Sequence, residues 1–373
     1  MNVVYAYPWD IVGDPAAPER FAGLGVDAVA LAASYHSVRA ATPFHPGHRL
    51  VNAHAACYVP VRPTAWGRLA PATPSWTAAD AFVQARDALK AVGLAVHAWT
   101  VFTHNSHLGS AHPDLVVRNA FGDLYPYALC PAQPDVVEYC RTLAREIVLL
   151  GEPDAVILEA CGPLGFRHGG PHEKTDGADW SPVQADLLSL CFCTACAKTC
   201  PDGLGERVRA GIDGSPASVE AALGDLAPAV RDRRTALTAD LQRAVVAEVR
   251  GLPVTVHATA HPWAAGAFTP HVHGVRAEVL VANCWGDPDA DTAGLRRLRA
   301  LAGDGVRVGA YVLALPPRSP AALKDHLARY AEAGAEEFHL YHGGLASRSR
   351  LDALAAAVGA RPKGDAAPPI GPC

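Results

Sequence analysis

Short apolar runs alternate along the chain with longer segments in which apolar residues recur at helical spacing. Several of the helical segments begin after Thr, Ser or Pro and end at Gly, the residues that favour helix starts and stops. Eight apolar runs have the length of buried β-strands: NVVYAY from Asn2, VDAVALAA from Val26, LAVHAWTVF from Leu94, DAVILEA from Asp154, PVTVHAT from Pro253, AEVLVAN from Ala277, VRVGAYVLA from Val306 and EFHLYHG from Glu337. Such strands, alternating with helices, indicate a parallel sheet that helices cover on both faces.

Eight strand-helix units predict an α/β protein, a single (β/α)8 TIM barrel over residues 1–360. A doubly wound open sheet is the alternative, but no glycine-rich phosphate-binding sequence follows the first strand. Two connections are much longer than the usual two to six or so residues. One follows strand 2, from about Ser34 to Ser75, and the other follows strand 4, where residues 161–230 form a cysteine-rich insertion. Residues 361–373 are polar and Pro-rich and predict a flexible tail.

Composition narrows the classes of partner. The 32 basic and 37 acidic residues give a net charge of -5 with no block of like charge, which argues against nucleic acid and anionic membranes as partners. The chain contains no run of 18 apolar residues, and its N-terminus lacks the basic and apolar regions of a signal peptide. We therefore expect a soluble, cytoplasmic protein. It could form a homo-oligomer.

Glu159 is the candidate catalytic acid. Side chains alternate along a strand, so Ala155, Ile157 and Glu159 share a face, with Glu159 at the C-terminal end of strand 4, where barrel enzymes place their chemistry. The alternative is a structural glutamate that pairs with a buried Arg or Lys.

The other strand ends carry aromatic, His, Asn and Asp side chains, a lining typical of a sugar-binding site. The candidate substrate-binding residues are Trp9, Asp10, Tyr35, His36, His97, Trp99, His104, Asn105, His257, Asn283, Trp285 and His342, with His172 and Glu173 from the insertion. Any single histidine among them could equally be a core residue. His168 and His172 could also ligate a catalytic metal, although the intervening GGP does not favour a helix that would align them.

A cysteine-rich motif, LCFCTACAKTC, predicts a metal clip. Its thiols, Cys191, Cys193, Cys196 and Cys200, suit a tetrahedral structural Zn²⁺, with Cys130 as the alternative fourth ligand. A redox pair, an iron-sulfur cluster and free thiols are the other interpretations. No organic cofactor is expected.

Three segments resemble the catalytic barrels of glycoside-hydrolase-like families: GLAVHAWTVF, NAFGDLYPYALCPAQPDVVEYCRTLAREIV and DAVILEACG. In those families a helix that ends in Gly leads to a His-Ala-Trp strand, and a later strand ends in an acid. The C-x-C-x2-C motif, with Cys130 upstream, is similar to the zinc clip of the family 42 β-galactosidases. Recognisable motifs cover residues 2–200 or so, and the rest of the chain resembles these families only in the spacing of its predicted strands. The resemblance implies that Glu159 is the general acid/base of a retaining glycosidase.

The chain departs from this pattern at strand 7. Glycosidases of this kind carry their nucleophile there, but VGAYVLALPP contains no carboxylate. A two-carboxylate mechanism needs a partner for Glu159. We predict Asp287, after strand 6, with Asp10 and Glu173 as the other candidates. In some related barrels the acid of strand 4 is itself the nucleophile.

These observations predict a glycoside hydrolase that acts on a small or medium glycoside, with Trp9, Trp99 and Trp285 as stacking platforms. A sugar isomerase, epimerase or lyase is the second hypothesis, because histidines follow several strands and could serve proton transfer or hold a divalent metal. Those histidines are His36, His104, His257, His261 and His342. A non-catalytic sugar-binding barrel is the third hypothesis, which the missing acid of strand 7 favours.

Overall fold

Eight parallel strands form a closed barrel at the centre of the molecule. The computed structural model describes residues 1–169, 173–249 and 251–359. The barrel strands are β1 (Asn2–Ala6), β2 (Ala28–Tyr35), β3 (Ala95–Val101), β4 (Ala155–Glu159), β5 (Val254–Thr259), β6 (Val279–Cys284), β7 (Arg307–Leu313) and β8 (Glu337–Tyr341). Each strand pairs with the next along the chain, and β8 pairs with β1, so that Phe338 lies opposite Asn2. The predicted (β/α)8 barrel is confirmed.

Helices surround the barrel and fill the longer connections. They are α1 (Ala17–Ala22), α2 (Ala81–Ala91), α3 (Ser106–Ala111), α4 (Pro134–Gly151), α5 (Glu173–Asp176), α6 (Pro182–Leu188), α7 (Thr194–Ala197), α8 (Leu204–Asp213), α9 (Val219–Leu223), α10 (Ala227–Glu248), α11 (Pro288–Leu301), α12 (Leu323–Glu332) and α13 (Arg348–Gly359). Between β5 and β6 the chain has a two-residue strand, Thr269–Pro270, where the other units have a helix. No helix within the described ranges is both long and apolar enough to cross a bilayer.

Helix α4 shows how the sequence dictates these elements. Pro134 at its first position supplies a helical φ, and the buried residues Val136, Tyr139 and Leu143 recur every three or four positions on the face toward the barrel. The helix ends at Gly151, and the chain then turns directly into β4. The packing of helix α4 against the barrel therefore positions the start of β4, the strand that carries Glu159.

Three connections at the C-terminal side of the barrel are long. Residues 36–80 contain a hairpin of Val38–Ala41 and Leu50–Ala53. Residues 102–133 contain α3 and a hairpin of Val116–Arg118 and Leu124–Leu129, a connection that the sequence pattern did not single out. The described residues between β4 and α10 include five short α-helices, which pack with Ala120, Trp263 and the start of α10 in a small hydrophobic cluster. The predicted tail, 361–373, lies outside the described residues.

The interior of the barrel is aromatic and polar. Barrel interiors are usually filled by branched aliphatic side chains. Here the Tyr5 ring lies 4.8 Å from the rings of Trp99 and Tyr311, and its hydroxyl contacts His257 and His339. These residues come from β1, β3, β5, β7 and β8. Most of these strands are not neighbours in the sheet, so side chains from them can contact one another only across the interior of the barrel. A buried column of hydrogen-bonding groups therefore runs along the barrel axis.

Candidate active site

A cavity of about 760 Å³ opens at the C-terminal end of the barrel. This volume is in the range of small-molecule sites, and the position is where barrel enzymes bind their substrates. Its polar and aromatic lining comprises Tyr35, His36, Glu159, Arg167, His168, Asp186, Ser189, Thr259, His261, Phe268, Asn283, Trp285, Tyr311 and Tyr341.

Glu159 lies at the floor of this cavity with 6% of its surface exposed. Its Oε2 accepts a hydrogen bond from Trp99 Nε1 at 2.6 Å and lies 3.4 Å from His257 Nδ1. Burial raises the pKa of Glu159 to about 7, although the hydrogen bond from Trp99 acts in the opposite direction. A substantial fraction of this carboxyl group therefore carries a proton at neutral pH.

The backbone after Glu159 turns sharply out of the barrel. Ala160 is fully buried and adopts a left-handed conformation with φ of 51°, which is costly for a residue with a Cβ. Thr103 stabilises the turn, because its hydroxyl donates to the carbonyl oxygens of Ala160 and Gly162 at 2.7 and 2.8 Å. The amide of Ala160 donates to Ala267 at 2.9 Å. These hydrogen bonds hold the strained backbone directly after Glu159 in one conformation.

Tyrosines surround the carboxyl group. Burial, and to a smaller degree the charge of Glu159, raises the pKa values of Tyr5, Tyr35 and Tyr311, so their phenols stay neutral. Trp285 stacks on Tyr311 with ring centroids 5.2 Å apart, and 36% of its surface is exposed. This exposed indole face is a platform on which a sugar ring can stack.

Three histidines form one wall. His36 stacks on His104 at 4.1 Å, and His168 Nε2 lies 2.9 Å from His104 Nδ1. Burial lowers the pKa values of His36 and His168 to about 4 and that of His104 further. At neutral pH the wall is therefore uncharged, and each ring offers one donor and one acceptor.

Asp186 is the other carboxylate of the cavity lining. It lies on α6, which begins with a reciprocal capping box between Ser181 and Gln184. Its Oδ2 is 2.9 Å from Nε2 of His261, a residue that follows β5. Sequence reasoning missed Asp186, because the capping box predicts a helix but nothing in the insertion tells which of its residues face the barrel.

The structure brings several predicted residues together here. Tyr35, His36, Asn283 and Trp285 line the cavity with Glu159. His104 stands behind His36 and His168. Trp99 and His257 are fully buried beneath Glu159 and contact its carboxyl group.

A second predicted group is buried behind the cavity wall. Trp9 is 1% exposed and stacks on Tyr7 at 4.4 Å. Asp10 accepts a hydrogen bond from the amide of Tyr7 at 2.8 Å and lies 3.9 Å from His342 Nδ1. Burial raises the pKa of Asp10 to about 7. The surface of the cavity does not include these three predicted residues, Trp9, Asp10 and His342.

Other predicted residues have local structural contacts. Asn105 caps α3 by accepting from the amide of Leu108, and the exposed Glu173 pairs with Lys174. His97 is buried at the opposite end of the barrel, close to Glu337 and His339. His172 lies outside the described residues.

Asp287, the predicted partner of Glu159, is the exposed N-cap of α11. Its carboxylate accepts hydrogen bonds from the amides of Asp289 and Ala290, and it is not among the residues of the cavity lining. The carboxylate that shares the cavity with Glu159 is instead Asp186. The physical reason is the sequence Asp-Pro at the helix start, which is a strong capping signal.

Four thiols form a group that can hold a metal ion: Cys130, Cys191, Cys193 and Cys196, with all sulfur atoms within 4.8 Å of one another. Cys130 Sγ lies 3.6 Å from Cys196 Sγ and 3.7 Å from Cys193 Sγ. A tetrahedron with metal-sulfur bonds of about 2.3 Å has edges of about 3.8 Å, which these distances match. Within the described parts of the chain, no other group of three or more His, Cys, Asp and Glu ligands converges in this way.

The fourth thiol is Cys130, the alternative ligand, and Cys200 is not in the group. Cys200 packs against the hydrophobic cluster of the insertion, and its amide donates to the carbonyl of Cys196. Cys130 follows the hairpin after β3, so the thiol group joins that connection to the insertion after β4.

Comparison with known proteins finds the same fold in solved structures of glycoside hydrolases. No protein-family model matches the sequence, and a comparison with curated proteins gives no match. Solved structures similar to this one include a β-galactosidase from the psychrophilic Marinomonas ef1, with a TM-score of 0.58 and 12% identity over 96% of this chain and 59% of that one. The glycoside hydrolase domain of PgaB (BpsB) from Bordetella bronchiseptica has a TM-score of 0.56 and 16% identity over 97% of this chain and 99% of the domain.

A third similar structure is α-L-fucosidase isoenzyme 2 from Paenibacillus thiaminolyticus, with a TM-score of 0.54 and 13% identity. The alignment covers 96% of this chain and 48% of the fucosidase, so the chain spans about half of that protein. At these identities the likeness shows a shared barrel fold. The specific link to the family 42 β-galactosidases stays a prediction.

The raised pKa of Glu159 predicts how its replacement changes stability with pH. The native carboxyl titrates near 7 and its ordinary value is 4.5, so native protein binds more protons than unfolded protein between these values. Wild-type stability therefore loses up to about 3 kcal/mol from this group as pH rises through that window. Glu159→Gln escapes the loss, and we expect its stability relative to wild type to rise from pH 4.5 to 7 and then level off.

Urea denaturation of both proteins at a series of pH values measures this difference. The exposed Glu332→Gln substitution on α12 is the control, and its difference from wild type should not change in this way. A Glu159→Gln difference that is constant between pH 4.5 and 7 would contradict the raised pKa.

Proposed function

We propose that this protein is a glycoside hydrolase in which Glu159 is the general acid. The observation that carries the proposal is a carboxyl group with a pKa of about 7 at the floor of a 760 Å³ cavity, on the fourth strand of a barrel. Cleavage of a glycosidic bond requires a proton for the leaving oxygen, and an acid that is protonated near neutral pH can supply it. The glycoside hydrolases with similar folds support this reaction class by analogy.

Asp186 is our proposed second carboxylate. The transition state of glycoside cleavage resembles an oxocarbenium ion, which a carboxylate stabilises by direct attack or by activating water. Asp186 shares the cavity with Glu159, and its contact with His261 orients one of its oxygens. We propose Asp186 in place of Asp287, whose carboxylate caps a helix.

The cavity lining supports a carbohydrate substrate. Trp285 offers an exposed aromatic face, and Asn283 and Thr259 offer amide and hydroxyl groups beside it. The uncharged histidine wall adds donors and acceptors without a net charge. Such a combination suits the apolar faces and hydroxyl groups of a small or medium glycoside.

We also propose that the cysteine group holds a structural zinc ion. Four thiolates complete a tetrahedral shell and leave no position for water or substrate, as in structural zinc sites. Two donors already point at the sulfurs: the Gln133 side chain is 3.5 Å from Cys193 Sγ, and the amide of Cys193 is 3.4 Å from Cys191 Sγ. The ion would fix the two connections that flank the cavity relative to each other.

The acid role predicts a dependence on the leaving group. Glu159→Gln should lower kcat on an alkyl glycoside or oligosaccharide by on the order of 10²–10⁴, because the leaving oxygen then departs without a proton. Dinitrophenyl glycosides, whose leaving group needs no proton, should retain much more of their rate. Steady-state kinetics on a panel of both substrate types measures the contrast.

Asp186→Asn should abolish turnover on both substrate types, whereas Asp287→Asn should keep its rate within a few-fold of wild type. Loss of activity in Asp287→Asn with Asp186→Asn unaffected would reverse our assignment of the second acid. Binding of glycosides to wild type without turnover of any substrate would contradict the enzymatic proposal as a whole.

The zinc proposal predicts one metal ion per chain, bound through Cys130. Purified wild type and Cys200→Ser should each contain about one equivalent of zinc by elemental analysis, and Cys130→Ser should contain much less. Cys130→Ser should also unfold at a lower temperature, because metal binding contributes directly to the folding free energy. Equal zinc content in the two variants would contradict Cys130 as a ligand.

A further inference from the structure

A continuous line of buried polar groups connects Glu159 with the opposite end of the barrel. Beneath Glu159 Oε2 lies His257 Nδ1 at 3.4 Å, and the other ring nitrogen, Nε2, lies 2.9 Å from the Tyr5 hydroxyl. The same hydroxyl lies 3.0 Å from His339 Nδ1, and His339 Nε2 lies 3.6 Å from Glu337 Oε2. Glu337 pairs in turn with Arg307. We call these five residues, Glu159, His257, Tyr5, His339 and Glu337, the axial relay.

The relay is sealed from water along its length. Tyr5, His257, His339 and Glu337 have no exposed surface. Among the described residues, His257 Nδ1 and His339 Nε2 have no hydrogen-bond partner of normal geometry, and the carboxyl groups at the two ends lie near them at 3.4 and 3.6 Å. Phe268 stacks on the His257 ring at 4.6 Å and 2°, which holds that ring in place. Each proton on the relay therefore has few alternative positions.

Counting hydrogens leaves two arrangements. The Tyr5 hydroxyl has one hydrogen and lies between two ring nitrogens, so it donates to one and accepts from the other. Burial lowers the pKa values of both histidines, so each ring carries one hydrogen. When Tyr5 donates to His339, His257 carries its hydrogen on Nε2 and presents a bare Nδ1 to Glu159. When Tyr5 donates to His257, that ring carries its hydrogen on Nδ1 and donates to Glu159.

The charged end of the relay selects the first arrangement. Burial opposes ionisation of Glu337, but contact with His339 and the cation of Arg307 outweigh it and lower the pKa of Glu337, so His339 directs an N–H from Nε2 toward this carboxylate. His339 Nδ1 is then an acceptor for Tyr5, and His257 Nε2 is a donor to Tyr5. The bare Nδ1 of His257 repels an ionised Glu159 but accepts a hydrogen bond from a protonated one.

We propose that Arg307 and Glu337 keep Glu159 protonated through the tautomers of His339, Tyr5 and His257. In the change from the first arrangement to the second, Glu159 loses one proton and Glu337 gains one. One proton crosses each of the four contacts, so the total number of protons on the relay is unchanged. Because Arg307 lowers the proton affinity of Glu337, the proton stays on Glu159. Tyr5, His257, His339 and Glu337 are thus positioning residues, and their importance for turnover, though not the relay itself, rests on the function proposed above.

Other groups face the two ends of the relay and act on the same carboxyls. Around Glu159 these are Trp99 of β3, Tyr35 of β2, Tyr311 of β7 and Tyr341 of β8. Around Glu337 they are His97 of β3 and, farther away, the amino group of Met1. None of them lies between His257 and Glu159, so the tautomer of His257 acts on Glu159 alone.

Arg307→Met tests the relay, because direct electrostatics and the relay predict opposite signs. Loss of a distant cation by itself would raise the proton affinity of Glu159. Through the relay, Glu337 instead becomes protonated, His257 turns into a donor, and the proton affinity of Glu159 falls on the order of tenfold. Titration of the Glu159 carboxyl carbon by ¹³C NMR, assigned with Glu159→Gln, measures the change without any substrate.

Tyr5→Phe cuts the relay and supplies the matched control. In Tyr5→Phe/Arg307→Met the proton affinity of Glu159 should not fall below that of Tyr5→Phe alone, a double-mutant cycle that isolates the coupling. Side-chain ¹⁵N spectra should show His257 and His339 as Nε2–H tautomers in wild type and as Nδ1–H tautomers in Arg307→Met. Nδ1–H on His257 in wild type, or a higher proton affinity of Glu159 in Arg307→Met, would overturn the proposal, and neither result depends on whether the protein cleaves glycosides. If Arg307→Met does not fold, the wild-type tautomers and Tyr5→Phe still decide it, because Tyr5→Phe frees His257 to donate and should itself lower the proton affinity of Glu159.

Discussion

The burial of the Glu159 carboxyl group without a neighbouring cation is the constraint on which the rest of the site depends. Taking a carboxylate out of water is costly unless a positive charge compensates it, and the group responds by keeping its proton. Its polar contacts are a Trp99 N–H and a neutral His257, and neutral phenols such as Tyr35 and Tyr311 surround it. The groups in contact with Glu159 are thus uncharged hydrogen-bonding groups, although Arg167 and Asp186 also line the cavity, and this is the environment that a proton donor at neutral pH requires.

This arrangement changes how the barrel is stabilised. A column of Tyr, His and Glu along the axis contributes less apolar burial than the usual aliphatic layers, and each of its polar groups needs a partner. The Tyr5 hydroxyl provides a partner for one nitrogen of each of two imidazoles, whereas the other nitrogens of His257 and His339 lie near carboxyl groups without a hydrogen bond of normal geometry. The outer layer supplies apolar packing through helices such as α4, whose buried face is continuous. At the mouth, the thiols of Cys130 and the insertion come together, and the Tyr125 hydroxyl donates to the Leu188 carbonyl, so that two connections contact each other. The outer layer thus supplies aliphatic packing, whereas the axis combines aromatic packing with hydrogen bonding.

The sequence predicts the barrel well because its strands and helices are periodic, and it predicts Glu159 because strand alternation and strand end together give a position. The sequence predicts poorly how far along the barrel axis each inward-facing side chain lies. His97 and Trp99 share a face of β3, yet one lies near Glu337 and the other under Glu159, a difference that depends on the stagger of the closed sheet. Asp186 could not be predicted, because the insertion has no period that relates its residues to the barrel. Asp287 carried a readable signal, since an Asp followed by Pro at a helix start is a cap. The fourth thiol of the group is Cys130 and not the predicted Cys200, because proximity in sequence does not decide which thiols meet in the fold.

The most direct test of this account is the protonation state of Glu159 itself. Infrared difference spectra between wild type and Glu159→Gln, recorded from pH 4 to 9 without substrate, isolate the carbonyl band of the protonated Glu159 carboxyl group. The account predicts that this band is present at pH 6 and disappears with a midpoint near 7, the pKa that burial gives this residue. A midpoint near 4.5, the ordinary value, would show a solvated carboxylate and would contradict both the proton-donor role and the relay that maintains it.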